Sequence, residues 1–106
     1  MSAWIYLIFA GVLEVGFASM IKLTENFTKT VPTLVFIVFA CGSFYALTKA
    51  VETIAIGTAY AIWTGIGALG TILIGIVFYN EPTGLLRLFF IFTLIASIVG
   101  LKLVSH

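Results

Sequence analysis

Apolar residues run along this chain in four long blocks, at residues 4–21, 31–50, 54–79 and 85–104, separated by short polar breaks. A helix rising about 1.5 Å per residue needs about 20 residues to cross a hydrocarbon core of about 30 Å, and each block is close to that length. The pattern predicts an all-α membrane protein with four transmembrane helices in one domain, 1–106, leaving no room for a soluble domain. The breaks carry ordinary stop signals. Lys22, Thr24, Glu25, Asn26, Thr28 and Lys29 end the first block, and Asn80, Glu81, Pro82 and Gly84 end the third. Pro32 falls in the first turn of the second helix, where proline is tolerated. Arg87 and Lys102 sit near the two ends of the fourth, placed to snorkel to the headgroups.

Composition agrees with this reading: 62% of the 106 residues are hydrophobic and 8% are charged, too few polar groups to coat a soluble globule. The net charge of +1 offers no basic surface for nucleic acid. Cys41 lies inside an apolar run and is expected to be a small buried hydrophobe. His106 has no second ligand at metal spacing and reads as a terminal residue, so no metal site is expected. The first block is too long for a secretory leader and is expected to stay in the membrane. With four spans, the first and third loops share one side and carry Lys22, Lys29 and Arg87; Lys49 and Lys102 lie on the other. So even a balance sets almost no orientation bias, and a chain that inserts both ways can form an antiparallel pair.

One charged residue interrupts the first block. Glu14 stands near the middle of a span, where a carboxylate costs about 2.5–3.5 kcal/mol even on lenient insertion scales. Either it pairs with Lys49 or Lys102 as a structural ion pair, or it binds something that compensates for it. Gly11 and Phe17 lie on its helix face, small beside the carboxylate and aromatic one turn on. Tyr60 and Trp63 share a face of the third helix, and Ser43 lies on the stripe of the second with Phe36, Phe39, Ala40 and Leu47. A carboxylate among rings and hydroxyls suits an organic cation, through charge pairing and cation–π attraction. Tyr60 and Trp63 also fit an interfacial belt, a role that Trp4 and Tyr79 fit better. Gly57, Ala61, Gly65, Ala68, Thr71 and Gly75 recur at roughly helical spacing, and Ala96, Ser97 and Gly100 form a small patch for close helix contact within or between chains. Gly65, Gly67 and Gly70 are expected bending points. Four such helices fill their own centre, so a transport cavity needs a second copy.

The run GTAYAIWTGIGALG at residues 57–70, together with LEV around Glu14, resembles the small multidrug resistance family of bacterial exporters, and the resemblance covers the whole chain. It implies an antiparallel dimer of four-helix subunits in the bacterial inner membrane, with helices one to three lining the site and helix four, with Ala96, Ser97 and Gly100, holding the dimer. It implies proton-coupled export of small organic cations, with no cofactor beyond the proton gradient. Glu14 would be the shared proton and substrate site, lined by Tyr60, Trp63, Ser43, Phe17 and Gly11. The TGIG after Trp63 and the ending GLKLVSH are more similar to the guanidinium branch than to the polyaromatic-cation branch, although guanidinium exporters typically carry Trp where this chain has Phe17. LEVGFASM and AVETIAIGTAY also look like members encoded as unequal pairs, so the partner is either a second copy or a homologous subunit. A membrane assembly subunit that transports nothing alone and a passive cation channel are the competing classes.

Overall fold

A computed structural model describes residues 2–104; His106 lies outside the described residues. Four α-helices account for almost all of it: α1 (Ala3–Met20), α2 (Thr30–Ala50), α3 (Ile56–Phe78) and α4 (Leu85–Val104). At 18 to 23 residues each they are about 27–35 Å long, and all four are long and apolar enough to cross a membrane. Ser2 caps α1 by accepting a hydrogen bond from the Trp4 N–H at 3.2 Å. The third helix begins two residues later than the apolar pattern suggests. Thr53 and Ile54 donate back to the Ala50 carbonyl in a closing turn, and Ile54 is buried in the hydrophobic core.

Because the helices are apolar nearly all round, polarity cannot choose their faces, and small residues do so instead. A Cβ added to Gly11 would stand 2.7 Å from Ile66 Cγ2, one on Gly70 would overlap Val15, and one on Gly65 would stand 2.9 Å from Ile98 Cδ1. Bare backbone at these points lets α1 approach α3 and α3 approach α4. Gly16 does the same for α1 against Phe39 of α2. The result places α1 at the centre: it packs along both α2 and α3, which barely touch one another, while α4 packs on α3. α3 is helical without interruption through Gly65, Gly67 and Gly70, so in this state these glycines serve as contact points.

A hydrogen-bonded clamp ties the three site helices. Trp63 Nε1 donates to Ser43 Oγ at 2.9 Å, and Ser43 Oγ donates to the Ala10 carbonyl at 2.7 Å. Ser43 and Ala10 have no exposed surface and Trp63 is 8% exposed, so each bond forms out of water, where an unmade one is costly. At the two ends, Lys102 lies over the Trp4 ring and Lys22 over the Tyr79 ring. Trp4 and Tyr79 thus occupy helix ends beside a cation, the setting expected of interfacial residues.

Two features depart from the sequence reading. Cys41 is exposed on the outer side of α2; an apolar environment in this protein is as readily lipid as core. The first loop takes an unusual path: after a 3-10 turn, Lys22–Thr24, the backbone of Glu25, Asn26 and Phe27 is left-handed, with φ of 48°, 62° and 65°. Such conformations cost on the order of 1–3 kcal/mol each in non-glycine residues. Buried Thr24 holds the turn, its hydroxyl donating to the Ile21 carbonyl and accepting from the Phe27 N–H.

Ser43→Ala leaves the Trp63 indole N–H buried without its acceptor and removes the side-chain donor to the Ala10 carbonyl. A loss of about 1–3 kcal/mol is expected, read as a lower unfolding midpoint in detergent. An unchanged midpoint would show that the clamp carries no stability.

Candidate functional site

Glu14 lies past the midpoint of α1, and its side chain points into the seam between α1 and α3. It rests on Gly67. A Cβ at that position would overlap the carboxyl group, so only glycine leaves the space the acid occupies. Glu14 Oε1 is buried with no hydrogen-bond partner. The lysines that might neutralise it are occupied elsewhere: Lys49 pairs with Glu52 at 3.9 Å, and Lys102 stands over Trp4. Among the described residues no ion pair involves Glu14, which removes the structural ion pair within the subunit. A half-buried carboxyl group with one oxygen fully enclosed is costly to ionise in apolar surroundings unless something compensates for its charge.

The clamp lies one turn away on both helices. Ala10 precedes Glu14 by four residues and Trp63 precedes Gly67 by four, so about 6 Å of helix separates the two layers. Ser43 and Trp63 are therefore beside the acid, but their polar atoms are engaged with each other and with Ala10. Gly11 is also adjacent, and the space its small size leaves is filled by Ile66. The rings form a continuous line across three helices. Phe17 meets Phe36 edge-on at 5.5 Å and Phe44 at 6.0 Å; Phe44 meets Trp63 at 5.7 Å, and Trp63 meets Tyr60 at 5.7 Å. Tyr60 is 59% exposed and Phe44 51%, so the line reaches the outer face of the subunit on either side of buried Trp63.

Phe44 is the member that sequence reasoning missed. It follows Ser43 directly and so falls off that residue's helical stripe; its contacts with Phe17 of α1 and Trp63 of α3 bring it into the line. Neither of two surface cavities, of about 180 and 200 Å³, includes Glu14 in its lining. Tyr60 borders the first, with Leu47 and Ile56, and the second opens at the end of the bundle formed by the first and third loops. On α4, Ile91, Leu94 and Ile98 form the more covered side, with Ile98 against Gly65 of α3. Ala96 and Ser97 are exposed, and a Cβ on Gly100 would meet nothing within 4 Å.

The family model for "Small Multidrug Resistance protein" matches residues 2–95. A guanidinium exporter of Yersinia pestis is 42% identical over 103 residues, covering 97% of this chain and 99% of the relative. A probable guanidinium efflux system subunit, GdnD, of Bacillus licheniformis is 44% identical over 102 residues, covering 96% and 98%. The guanidinium exporter of Salmonella typhimurium is 41% identical over 104 residues, covering 98% and 99%. Four membrane-length helices, an acid in the seam between two of them and full-length similarity to these proteins identify the chain as a multi-pass inner-membrane protein that belongs to the small multidrug resistance family.

Proposed function

We propose that this protein exports small organic cations of the guanidinium type in exchange for protons, working as a pair of antiparallel subunits. The observation that carries the reading is Glu14 itself, a carboxyl group without a partner, pressed on the bare backbone of Gly67 inside a span. Relatives named guanidinium exporters, similar over nearly the full chain, support the substrate class.

The mechanism follows from competition. An ionised Glu14 attracts a cation, whereas a protonated one does not, so proton and cargo exclude each other at one group. If only the occupied forms exchange between inward and outward access, a proton gradient drives the cation out. Each ligand must then lower the barrier between two conformations. The close contacts at Gly65, Gly67 and Gly70 are where α3 would shift or bend during that exchange. Pairing supports the reading as well. The uncovered face of α4 with Ala96, Ser97 and Gly100 suits close contact with a second subunit, and three basic side chains against two on the two sides permit both orientations.

Two extensions rest on particular observations. The line from Phe17 to Tyr60 presents ring faces that suit quaternary ammonium ions, which lack N–H donors and gain from cation–π contact. The relative named as a subunit of an efflux system supports a homologous partner in place of a second copy.

Glu14→Gln is expected to lower proton-driven guanidinium uptake into proteoliposomes by about 100-fold or more, with folding and pairing intact. Retained uptake would reject Glu14 as the coupling site, and flux indifferent to the pH gradient would indicate a channel. Gly67→Ala keeps the acid and displaces it, so uptake should fall by about tenfold or more while the protein still folds. Wild-type uptake in that variant would show that Glu14 does not need the seam.

A further inference from the structure

The cavity of about 200 Å³ at the loop end of the bundle continues the α1–α3 seam that holds Glu14. Its lining includes Ala18 and Thr71, and these stand four residues beyond Glu14 and Gly67 on the same two helices. The inner end of the cavity is thus about one turn, about 6 Å of rise, from the acid. Ser19 and Thr71 also line it, and the hydroxyl oxygen of each is buried without a hydrogen-bond partner, as is Glu14 Oε1. Lys22, Tyr79 and Glu81 form the outer end. Lys22 lies 4.9 Å above the Tyr79 ring, the Tyr79 hydroxyl donates to the Ser19 carbonyl at 3.1 Å, and Glu81 pairs with Arg87 at 3.1 Å.

Three orphan polar atoms lie along one seam, two of them on residues that line a cavity reaching the loops, and rotation of those two hydroxyls toward the cavity would give them water as a partner. Buried polar groups are rarely left unpaired, and one water takes about 30 Å³ of liquid, so a short file of waters fits. A permanent organic cation does not suit the interior. Inside the rim it would meet hydroxyls and no counter-charge, and nothing would offset the loss of its hydration. We infer that this cavity is a water-filled proton route to Glu14 within a single subunit, with the Ser19 and Thr71 hydroxyls holding the waters in line. The inference rests on the proton-exchange reading above. In each step one water accepts a proton on a lone pair and releases one of its own to the next, so every water ends as it began. Glu14 gains one proton.

Two measurements test it. In a Cys41→Ala background, Thr71→Cys is expected to react with a small water-soluble methanethiosulfonate reagent added to reconstituted protein. An inert thiol would overturn the route. Combined Ser19→Ala and Thr71→Val should slow proton-driven guanidinium uptake by about tenfold while leaving guanidinium affinity unchanged, and Thr71→Ser, which keeps the hydroxyl, should retain the rate. Uptake at the wild-type rate, or a matching loss of affinity that places the hydroxyls at the cargo site, would overturn it. Failure of the underlying reading is a separate result: transport that survives Glu14→Gln.

Discussion

The site depends on a carboxyl group that, among the described residues, has no hydrogen-bond or ion-pair partner in an apolar seam. Glu14 occupies space that exists because Gly67 has no side chain, and its buried oxygen meets no donor. An acid so placed costs energy in its charged form unless a mobile ligand accompanies it. The two helices that hold it are brought together by further bare-backbone contacts, Gly11 against Ile66 and Gly70 against Val15, above and below the acid. The seam is thus closely packed in this state and polar at one point.

Around that point the polar groups divide into satisfied and unsatisfied sets. On one side Trp63, Ser43 and Ala10 exchange hydrogen bonds and fix the relation of three helices. On the other, the hydroxyl oxygens of Ser19 and Thr71 are buried with no partner among the described residues, beside a cavity that opens to the loops. A satisfied network holds a geometry, and an unsatisfied one invites an occupant. The acid stands between them. Basic side chains are kept out of the seam by interactions at the periphery: Lys29 with Glu25, Lys49 with Glu52, Arg87 with Glu81, and Lys22 and Lys102 over rings. Exposed pairs of this kind add little stability, but they leave Glu14 available.

The four spans and the singular acid were legible in the sequence because hydrocarbon imposes both a length and a penalty on charge. What lay beyond reach was register between helices. Spacing along α2 and α3 put Ser43 and Trp63 on faces but gave no sign of a bond between them, and it passed over Phe44 altogether. Cys41 was misplaced because lipid is as apolar as a core, so hydrophobicity does not tell inside from outside in a membrane chain. Gly65, Gly67 and Gly70 read as bending points in the sequence; spacing did not show that in this state their missing side chains leave room for Ile98, Glu14 and Val15. The left-handed run from Glu25 to Phe27 had no local signature beyond Asn26; the hydroxyl of Thr24, buried beneath it, holds that path.

If proton and cargo truly share Glu14, binding of one must expel the other. Calorimetric titration of the purified pair with guanidinium, in buffers of different ionisation enthalpy across a range of pH, measures that directly. Affinity should weaken as pH falls, with proton release on binding rising toward one per acid that titrates. Binding that is independent of pH and releases no protons would contradict the account.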